Sequence, residues 1–429
     1  MVPKLTDKSF LKKKPNEYLF SPYKDGLRDS IVINDTAMEI LSLCNGINSI
    51  EDIIKILKKK YNEKEDIVKQ NVEEFLKPFI ELGVICDSCK ENSQKDFVIG
   101  SNKIFYPDIL IWELTDYCPL KCKHCYLPKK NNNIYSNEDI EKVFSIIDKS
   151  GVCQIQLTGG EALSHPKIGY IIDELIKRGI IISISTSGMI LNENILSHLL
   201  KLKSIRGSFI RISLDGSEDT HNYIRGNKKS YTNALNFIKT MKANGIPCQV
   251  GTTVVNQSKE ELETLTSLVK DCGACLIEIG LVSVQGNAKE NKLTNSFSQK
   301  ELDLFLKELS DKFSDKNFIV KLPVQKAIAK TCGAGCHIIV LKANKDVSIC
   351  PTAEFSVGNI GKQSFDEIME NCGFKFHDIA APNAQICGDC KNKFECKGCI
   401  AKALILKETV DNCPWFKSQY EIFKPFLNR

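Results

Sequence analysis

Missing from the sequence is any apolar run long enough for export or membrane insertion. The opening stretch MVPKLTDKSFLKKKP has no apolar centre of the kind a secretory signal carries. No later segment offers the roughly 18 uninterrupted apolar residues of a membrane span. The expectation is a cytoplasmic protein with no membrane partner. A strong charge of one sign is also missing: the formal net charge is +5 over 429 residues, and lysines alternate with acids along stretches such as EDIIKILKKKYNEKED. Alternation of this kind marks solvated helix faces and gives no sign of a nucleic-acid partner. Tandem repeats and low-complexity tracts are absent as well.

Cysteine is what the chain has in excess. Nineteen are present, an odd total. In a reducing compartment such a number argues against a disulfide framework and for metal ligation, which does not need pairs. With 42% apolar residues the chain can bury a sizeable core, and its length suggests two or three domains.

Up to residue 95, two β-like runs, YLFSPY and SIVIN, precede three helical stretches. Asn34 or Asp35 can cap the first helix and Gly46 can stop it. A polar stretch from Cys89 to about Lys103 reads as a linker. Over residues 104–305 the strand-like runs IWELT, IQLTGG, IISISTSG, RISLDG, PCQVGTTVV and LIEIGLVSV alternate with helix-like ones. The fold class is therefore α/β: six βαβ units predict a partial (β/α)6 barrel whose chemistry gathers at the C-terminal ends of its strands. A helical connector over 306–330 leads into 331–429, which holds nine of the nineteen cysteines.

Straight after the first predicted strand comes T-D-Y-Cys118-P-L-K-Cys122-K-H-Cys125-Y. Three thiolates on one loop can hold three corners of a [4Fe–4S] cluster and leave the fourth iron open. The competing reading is a zinc knuckle, but structural zinc usually takes four protein ligands.

This loop resembles that of the radical SAM superfamily, and the likeness extends through the whole middle segment. It implies that the open iron chelates S-adenosylmethionine (SAM) and that one electron cleaves SAM to a 5′-deoxyadenosyl radical. On the same likeness His124 and Tyr126 join the cofactor-binding set. Gly159, Gly160 and Glu161 correspond to the family's GGE element, with the carboxylate expected to pair with the SAM ammonium. Ala162 follows, where proline is common. Ser185 and Thr186 stand at the third strand end. Ser213 and Asp215, at the fourth, are expected to meet the ribose, and Arg225 the SAM carboxylate.

The C-terminal cysteines resemble the SPASM extension of radical SAM peptide maturases. That likeness implies a first auxiliary cluster on Cys332, Cys350 and Cys399, with Cys336 a possible fourth ligand, and a second on Cys387, Cys390, Cys396 and Cys413. This makes three [4Fe–4S] clusters in all, with paired zinc sites as the alternative. Two positions depart from the family: Lys345 stands where glycine is usual, and two residues rather than three separate Cys396 from Cys399. The N-terminal segment resembles the winged-helix-like peptide-recognition domain of pyrroloquinoline quinone biosynthesis. The likeness implies capture of a leader peptide as an added strand at the SIVIN edge, beside a groove formed by Met38 and Leu41. Its competitor is a winged helix that only packs or binds nucleic acid.

The function that follows is modification of a ribosomally made precursor peptide, with a thioether cross-link expected and an electron donor such as flavodoxin or ferredoxin as a further partner. Carbon–carbon cross-linking and epimerisation are the alternatives, and an iron–sulfur redox regulator that never cleaves SAM is a competitor from another class. Epimerisation needs a hydrogen donor near the substrate. Cys153, Cys248 and Cys275 are expected at the barrel's bottom, whereas Cys372 stays open as such a donor. Cys44, Cys153 and Cys248 are expected to behave as small hydrophobes. The pair Cys86 and Cys89 has no partner pair nearby.

Overall fold

Short strands open the chain: β1 (Pro3–Leu5), β2 (Phe10–Lys14), β3 (Glu17–Ser21), β4 (Tyr23–Lys24), β5 (Leu27–Arg28) and β6 (Ile31–Ile33). The computed structural model describes residues 1–87, 97–127, 131–323, 333–391, 396, 399–407 and 412–427, so Cys89 and Cys332 lie outside the described residues. β3 and β6 fall in the two expected runs. β2 reads as polar, FLKKK, because Lys12 and Lys14 turn inward and are 0% and 3% exposed.

Helix α1 (Asp35–Leu43) starts at Asn34, whose side chain accepts the Ala37 N–H at 2.8 Å. α2 (Ile50–Tyr61) begins on a reciprocal cap between Ser49 and Asp52, and α3 (Glu65–Glu81) completes the set. β7 (Ile85–Asp87) returns to pair with β1. β8 (Val98–Gly100) pairs parallel to β2, giving the order β6-β3-β2-β8. The stretch read as a linker thus contributes a strand, β8, to the N-terminal sheet. Its core is its own, built on Leu11, Phe20, Leu41, Ile53 and Leu76. Met38 and Leu41 pack into that core at 7% and 0% exposure instead of lining a groove, while Val32 on the edge strand β6 is 68% exposed.

The barrel strands are β9 (Ile109–Glu113), β10 (Gln154–Thr158), β11 (Ile181–Thr186), β12 (Phe209–Ser213), β13 (Cys248–Val254) and β14 (Leu276–Leu281), each parallel to the next. In β10 and β12 every second residue is buried: Ile155, Leu157, Ile210 and Ile212 enter the main core. The opposite parity carries Gln156, Arg211 and Ser213 toward the lumen.

The N-terminal unit caps the floor of this barrel. Lys12 Nζ donates to Pro107 O and to Asp108 Oδ1, both at 2.8 Å; Arg28 Nε donates to Gly179 O at 2.9 Å; and the Arg206 N–H donates to Gly26 O at 2.7 Å. Each barrel partner precedes one of the strands β9, β11 and β12. Cys153, Cys248 and Cys275 lie at this same end, preceding or beginning β10, β13 and β14.

The C-terminal residues do not form a separate layer. α4 (Asn137–Ser150), α5 (Ile168–Lys177), α6 (Glu193–Leu200), α7 (Glu218–Arg225), α8 (Ser230–Ala243), α9 (Lys259–Asp271) and α10 (Gly286–Glu290) belong to the barrel segment, and α11 (Gln299–Phe313) straddles the expected boundary at 305. β15 (Ile319–Val320), within the expected helical connector, extends the sheet beyond β14. β16 (Ile338–Leu341) pairs parallel with β9 on the other edge, followed by β17 (Asp346–Ser348) and β18 (Gly358–Asn359) in antiparallel order. Lys345, where glycine is usual, adopts the left-handed φ of 71° in the turn before β17. α12 (Phe365–His377) packs Ile368, Met369 and Phe376 into the barrel's own core. Among the described residues no helix is long and apolar enough to cross a membrane.

Candidate active site

A cavity of about 330 Å³ opens at the C-terminal ends of β9 to β13. Its wall holds all three thiols of the first cysteine loop, Cys118, Cys122 and Cys125, together with His124 and Tyr126. Gly159, Gly160, Ser185, Thr186, Ser213 and Arg225 line it too. The loop is stitched to the end of β10: the Gly160 N–H donates to Thr115 O at 2.7 Å and the Glu161 N–H to Tyr117 O at 2.8 Å. A Cβ on Gly159 would stand 2.2 Å from Thr115 O, and one on Gly160 would stand 2.2 Å from Tyr117 O. Only glycine permits so close an approach of two backbones.

Two of the expected contact residues are engaged within the protein. Glu161 is 1% exposed and does not line the cavity. Its Oε1 accepts from Thr186 Oγ1 and its Oε2 from the Ser187 N–H, both at 2.8 Å, so it fastens the second strand end to the third. Asp215 is fully buried and likewise absent from the cavity wall. It accepts Arg225 Nε at 2.6 Å and the Thr253 N–H at 3.0 Å. Burial alone would raise its carboxyl, but Arg225, with His124 and His221, holds it down at about 2. In the protein alone both carboxylates act as braces, because an ionised carboxylate out of water needs its partners inside the protein.

Arg225 is turned by Asp215 so that its Nη1 lies 3.8 Å from Cys122 Sγ. Burial pushes the His124 imidazole down to about 4, and its buried Nδ1 has no hydrogen-bond partner among the described residues. Tyr126 donates its hydroxyl to Glu113 at 2.9 Å. Burial raises the Glu113 carboxyl above the usual range even though Tyr126 and Lys342 oppose the shift.

Gln156, Arg211, Thr252 and Thr253 also line the cavity and escaped the motif search. Three of them were legible by parity: in QIQLT, FIRIS and CQVGTTV the polar residues alternate with aliphatic ones, which in a barrel marks the lumen. Arg211 is held there by an ion pair with Glu278, which also meets Lys321 at 2.9 Å.

A second cavity, of about 580 Å³, adjoins the first and shares Tyr126 and Pro351 with it. Pro351 follows Cys350, whose thiol, raised by burial, interacts with that of Cys399. Cys396 feels Cys387, Cys390, Cys413 and Cys399, so these thiols gather in one region. Cys336 is 1% exposed and its thiol interacts with that of Cys372, which burial pushes up to about 12. None of the described cysteines is in a disulfide.

The donor set fits an iron–sulfur cluster that carries an exchangeable ligand. Three soft thiols share the cavity wall with glycine backbones, serine and threonine hydroxyls and a guanidinium.

The barrel, its cysteine loop and the cavity above it define a radical SAM enzyme. Residues 112–269 match the radical SAM superfamily, and residues 26–85 match the family described as coenzyme PQQ synthesis protein D (PqqD). The chain therefore carries a radical SAM domain joined to a PqqD-like recognition domain, and SAM with one [4Fe–4S] cluster belongs to that class. It is similar to the antilisterial bacteriocin subtilosin biosynthesis protein AlbA of Bacillus subtilis, at 26% identity over 92% of this chain and 92% of that protein. It is also similar to the sporulation killing factor maturation protein SkfB of Bacillus subtilis, at 25% identity over 63% of this chain and 67% of that protein. In fold it resembles SuiB of Streptococcus suis bound to S-adenosylmethionine, with a TM-score of 0.67, 14% identity, and coverage of 96% of this chain and 98% of that one.

Proposed function

We propose that the chain binds a ribosomally made precursor peptide and installs in it a thioether between a cysteine sulfur and a carbon. The observation that carries this reading is the placement of three thiols on one cavity wall, in a chain that also has a PqqD-like domain with an open strand edge. The relatives named for bacteriocin biosynthesis and killing-factor maturation support the peptide class.

In this reading Cys118, Cys122 and Cys125 hold three irons, and the leader adds as a strand beside β6, next to the exposed Val32. SAM held on the open iron would supply a 5′-deoxyadenosyl radical able to take one hydrogen atom from a peptide C–H. As the S–C bond forms, the cysteine thiol would lose its proton and the surplus electron would pass to an auxiliary cluster. Arg225, set by Asp215, faces the carboxylate of SAM. Ser185 and Ser213 offer hydroxyls, and Gly159 and Gly160 let the backbone come close. Tyr126 stands between this cavity and the larger one, where the peptide core belongs.

We assign a first auxiliary cluster to Cys350 and Cys399, with Cys332 outside the described residues and Cys336 as the possible fourth ligand. The second falls to Cys387, Cys390, Cys396 and Cys413, and a flavodoxin or ferredoxin serves as reductant. Cys399 lies near Cys350, and Cys396 acts with Cys387, Cys390, Cys413 and Cys399 alike, so thiol proximity supports clustered ligands here and the division between the two clusters follows the family likeness. Epimerisation loses ground because Cys372 is 0% exposed and lines neither cavity.

Anaerobic reduction with SAM tests the core of the proposal: 5′-deoxyadenosine forms, and its formation is lost when all three loop cysteines are alanine. Coexpression with a cysteine-rich peptide encoded beside the gene removes two hydrogens per cross-link, seen by mass spectrometry. An unchanged mass with solvent deuterium incorporated marks epimerisation instead, and no 5′-deoxyadenosine from iron-loaded protein marks a regulator.

A further inference from the structure

Among the described residues the lining of the larger cavity is mainly acidic: Glu113, Asp116, Asp346 and Glu354 stand against one ammonium, that of Lys342. Three of these carboxylates are accounted for. Glu113 accepts from Tyr126, Asp346 accepts from Asn344 and Asn359, and Glu354 is exposed to solvent.

Asp116 is not. It is 6% exposed, and its Oδ2 accepts the Asn131 N–H at 3.0 Å and Asn133 Nδ2 at 2.7 Å. Its Oδ1 is buried and has no hydrogen-bond partner among the described residues. A buried carboxylate oxygen without a donor weakens the fold unless something arrives to fill the place. A single inorganic cation would need several oxygen ligands converging on one point, whereas Glu113 is engaged by Tyr126 and Asp346 by Asn344 and Asn359. A long cationic side chain needs only to reach one carboxylate within an anionic cavity.

We infer that this cavity takes a lysine or arginine side chain of the precursor peptide, whose N–H groups supply the donor that Asp116 Oδ1 lacks. The inference rests on the peptide-modifying reading and adds a sequence preference to it: a cationic residue lies close to the modified position. Because Tyr126 and Pro351 belong to both cavities, anchoring that side chain sets which neighbouring residue faces the cofactor.

Fluorescence anisotropy on the anaerobically reconstituted holoenzyme with SAM tests this without turnover. The probes are a fluorescein-labelled, end-blocked hexapeptide with one cysteine and one lysine, and its copy with norleucine for lysine. The lysine peptide binds roughly tenfold tighter or more, as a buried charge-assisted hydrogen bond requires. Asp116→Asn can keep an acceptor for Asn131 and Asn133 while presenting an NH2 group to the cavity, and it abolishes the preference. Glu354→Gln, on the exposed rim, weakens the preference by about two- to threefold and serves if the first variant fails to fold. Equal binding of the two peptides by the natural chain, or a preference untouched in both variants, overturns the inference. Equal loss of both peptides in Asp116→Asn also overturns it, because the donor would then be a backbone N–H. Formation of 5′-deoxyadenosine by the natural chain, measured separately, tells whether the functional reading itself has failed.

Discussion

Asp215 grips Arg225 from a position with no solvent contact: Oδ2 accepts Nε at 2.6 Å, and the guanidinium is left 3.8 Å from the Cys122 thiol. The pair links the end of β12 to the end of α7 and fixes a cation beside the cysteine loop. Replacing one member leaves the other buried and uncompensated, which typically costs about 3–5 kcal/mol. Asp215→Asn is therefore expected to lower the stability of the barrel by about 3 kcal/mol. It should also weaken SAM binding, read by a shifted denaturation midpoint and by equilibrium dialysis.

Gly160 gives a sharper steric test. An added methyl would lie 2.2 Å from Tyr117 O and 2.6 Å from Asp116 O, both backbone atoms that cannot rotate away. Gly160→Ala is expected to cost at least about 2 kcal/mol and to displace the cysteine loop, since overpacking of this kind runs to 1–3 kcal/mol or more. Iron content after reconstitution, compared with that of Gly245→Ala, checks it; Gly245 has open space around its Cβ position, although its φ of 65° adds strain of its own.

His221 supplies a pH dependence. Its Nδ1 accepts the Asp215 N–H at 3.0 Å, and burial pushes the imidazole from 6.5 down to about 4, against the pull of Asp215. The unfolded chain binds a proton between those values and the folded chain does not, so stability rises with pH across this window and falls on acidification. The shift corresponds to about 3 kcal/mol between pH 6.5 and pH 4. His221→Gln is expected to flatten that slope, seen by urea titration at a series of pH values.

Lys12 tests the joint between the N-terminal unit and the barrel. Its ammonium is wholly buried on Asp108 and Pro107 O, and Asp108 also meets Lys14 at 2.7 Å and His337 at 2.9 Å. Lys12→Met removes two short charged hydrogen bonds but leaves Asp108 paired with Lys14 and hydrogen-bonded to the His337 ring, so a loss of about 2 kcal/mol is expected. Limited proteolysis should then release the N-terminal unit earlier than in the natural chain.

The barrel was legible because each strand carries its own alternating signature: all six expected runs hold a strand, and Cys118, Cys122 and Cys125 meet on one wall as spacing implied. The floor contacts were not. Nothing local in FLKKK marks Lys12 and Lys14 as inward-facing, because the aspartate that receives them, Asp108, lies 96 and 94 residues away. The pairing of β16 with β9 was equally hidden, because register between segments so far apart is set by the assembled sheet and not by local pattern. The protein partners of Glu161 and Asp215, namely Thr186, Ser187, Arg225 and Thr253, were not legible, since a motif names a residue and not the direction its oxygens face.

The recognition unit lies under the floor of the barrel, whereas both cavities open at the opposite rim. β13 has seven residues, about 23 Å of strand at about 3.3 Å each, which at the roughly 40° tilt of barrel strands rises about 18 Å. A peptide docked on β6 as proposed would have to climb that height before any of its atoms enters the chemistry, and a fully extended chain needs about five residues for the climb. The fold therefore acts as a ruler: residues nearer than that to the docked segment are out of reach whatever their side chains, and lengthening the spacer costs little once the minimum is met.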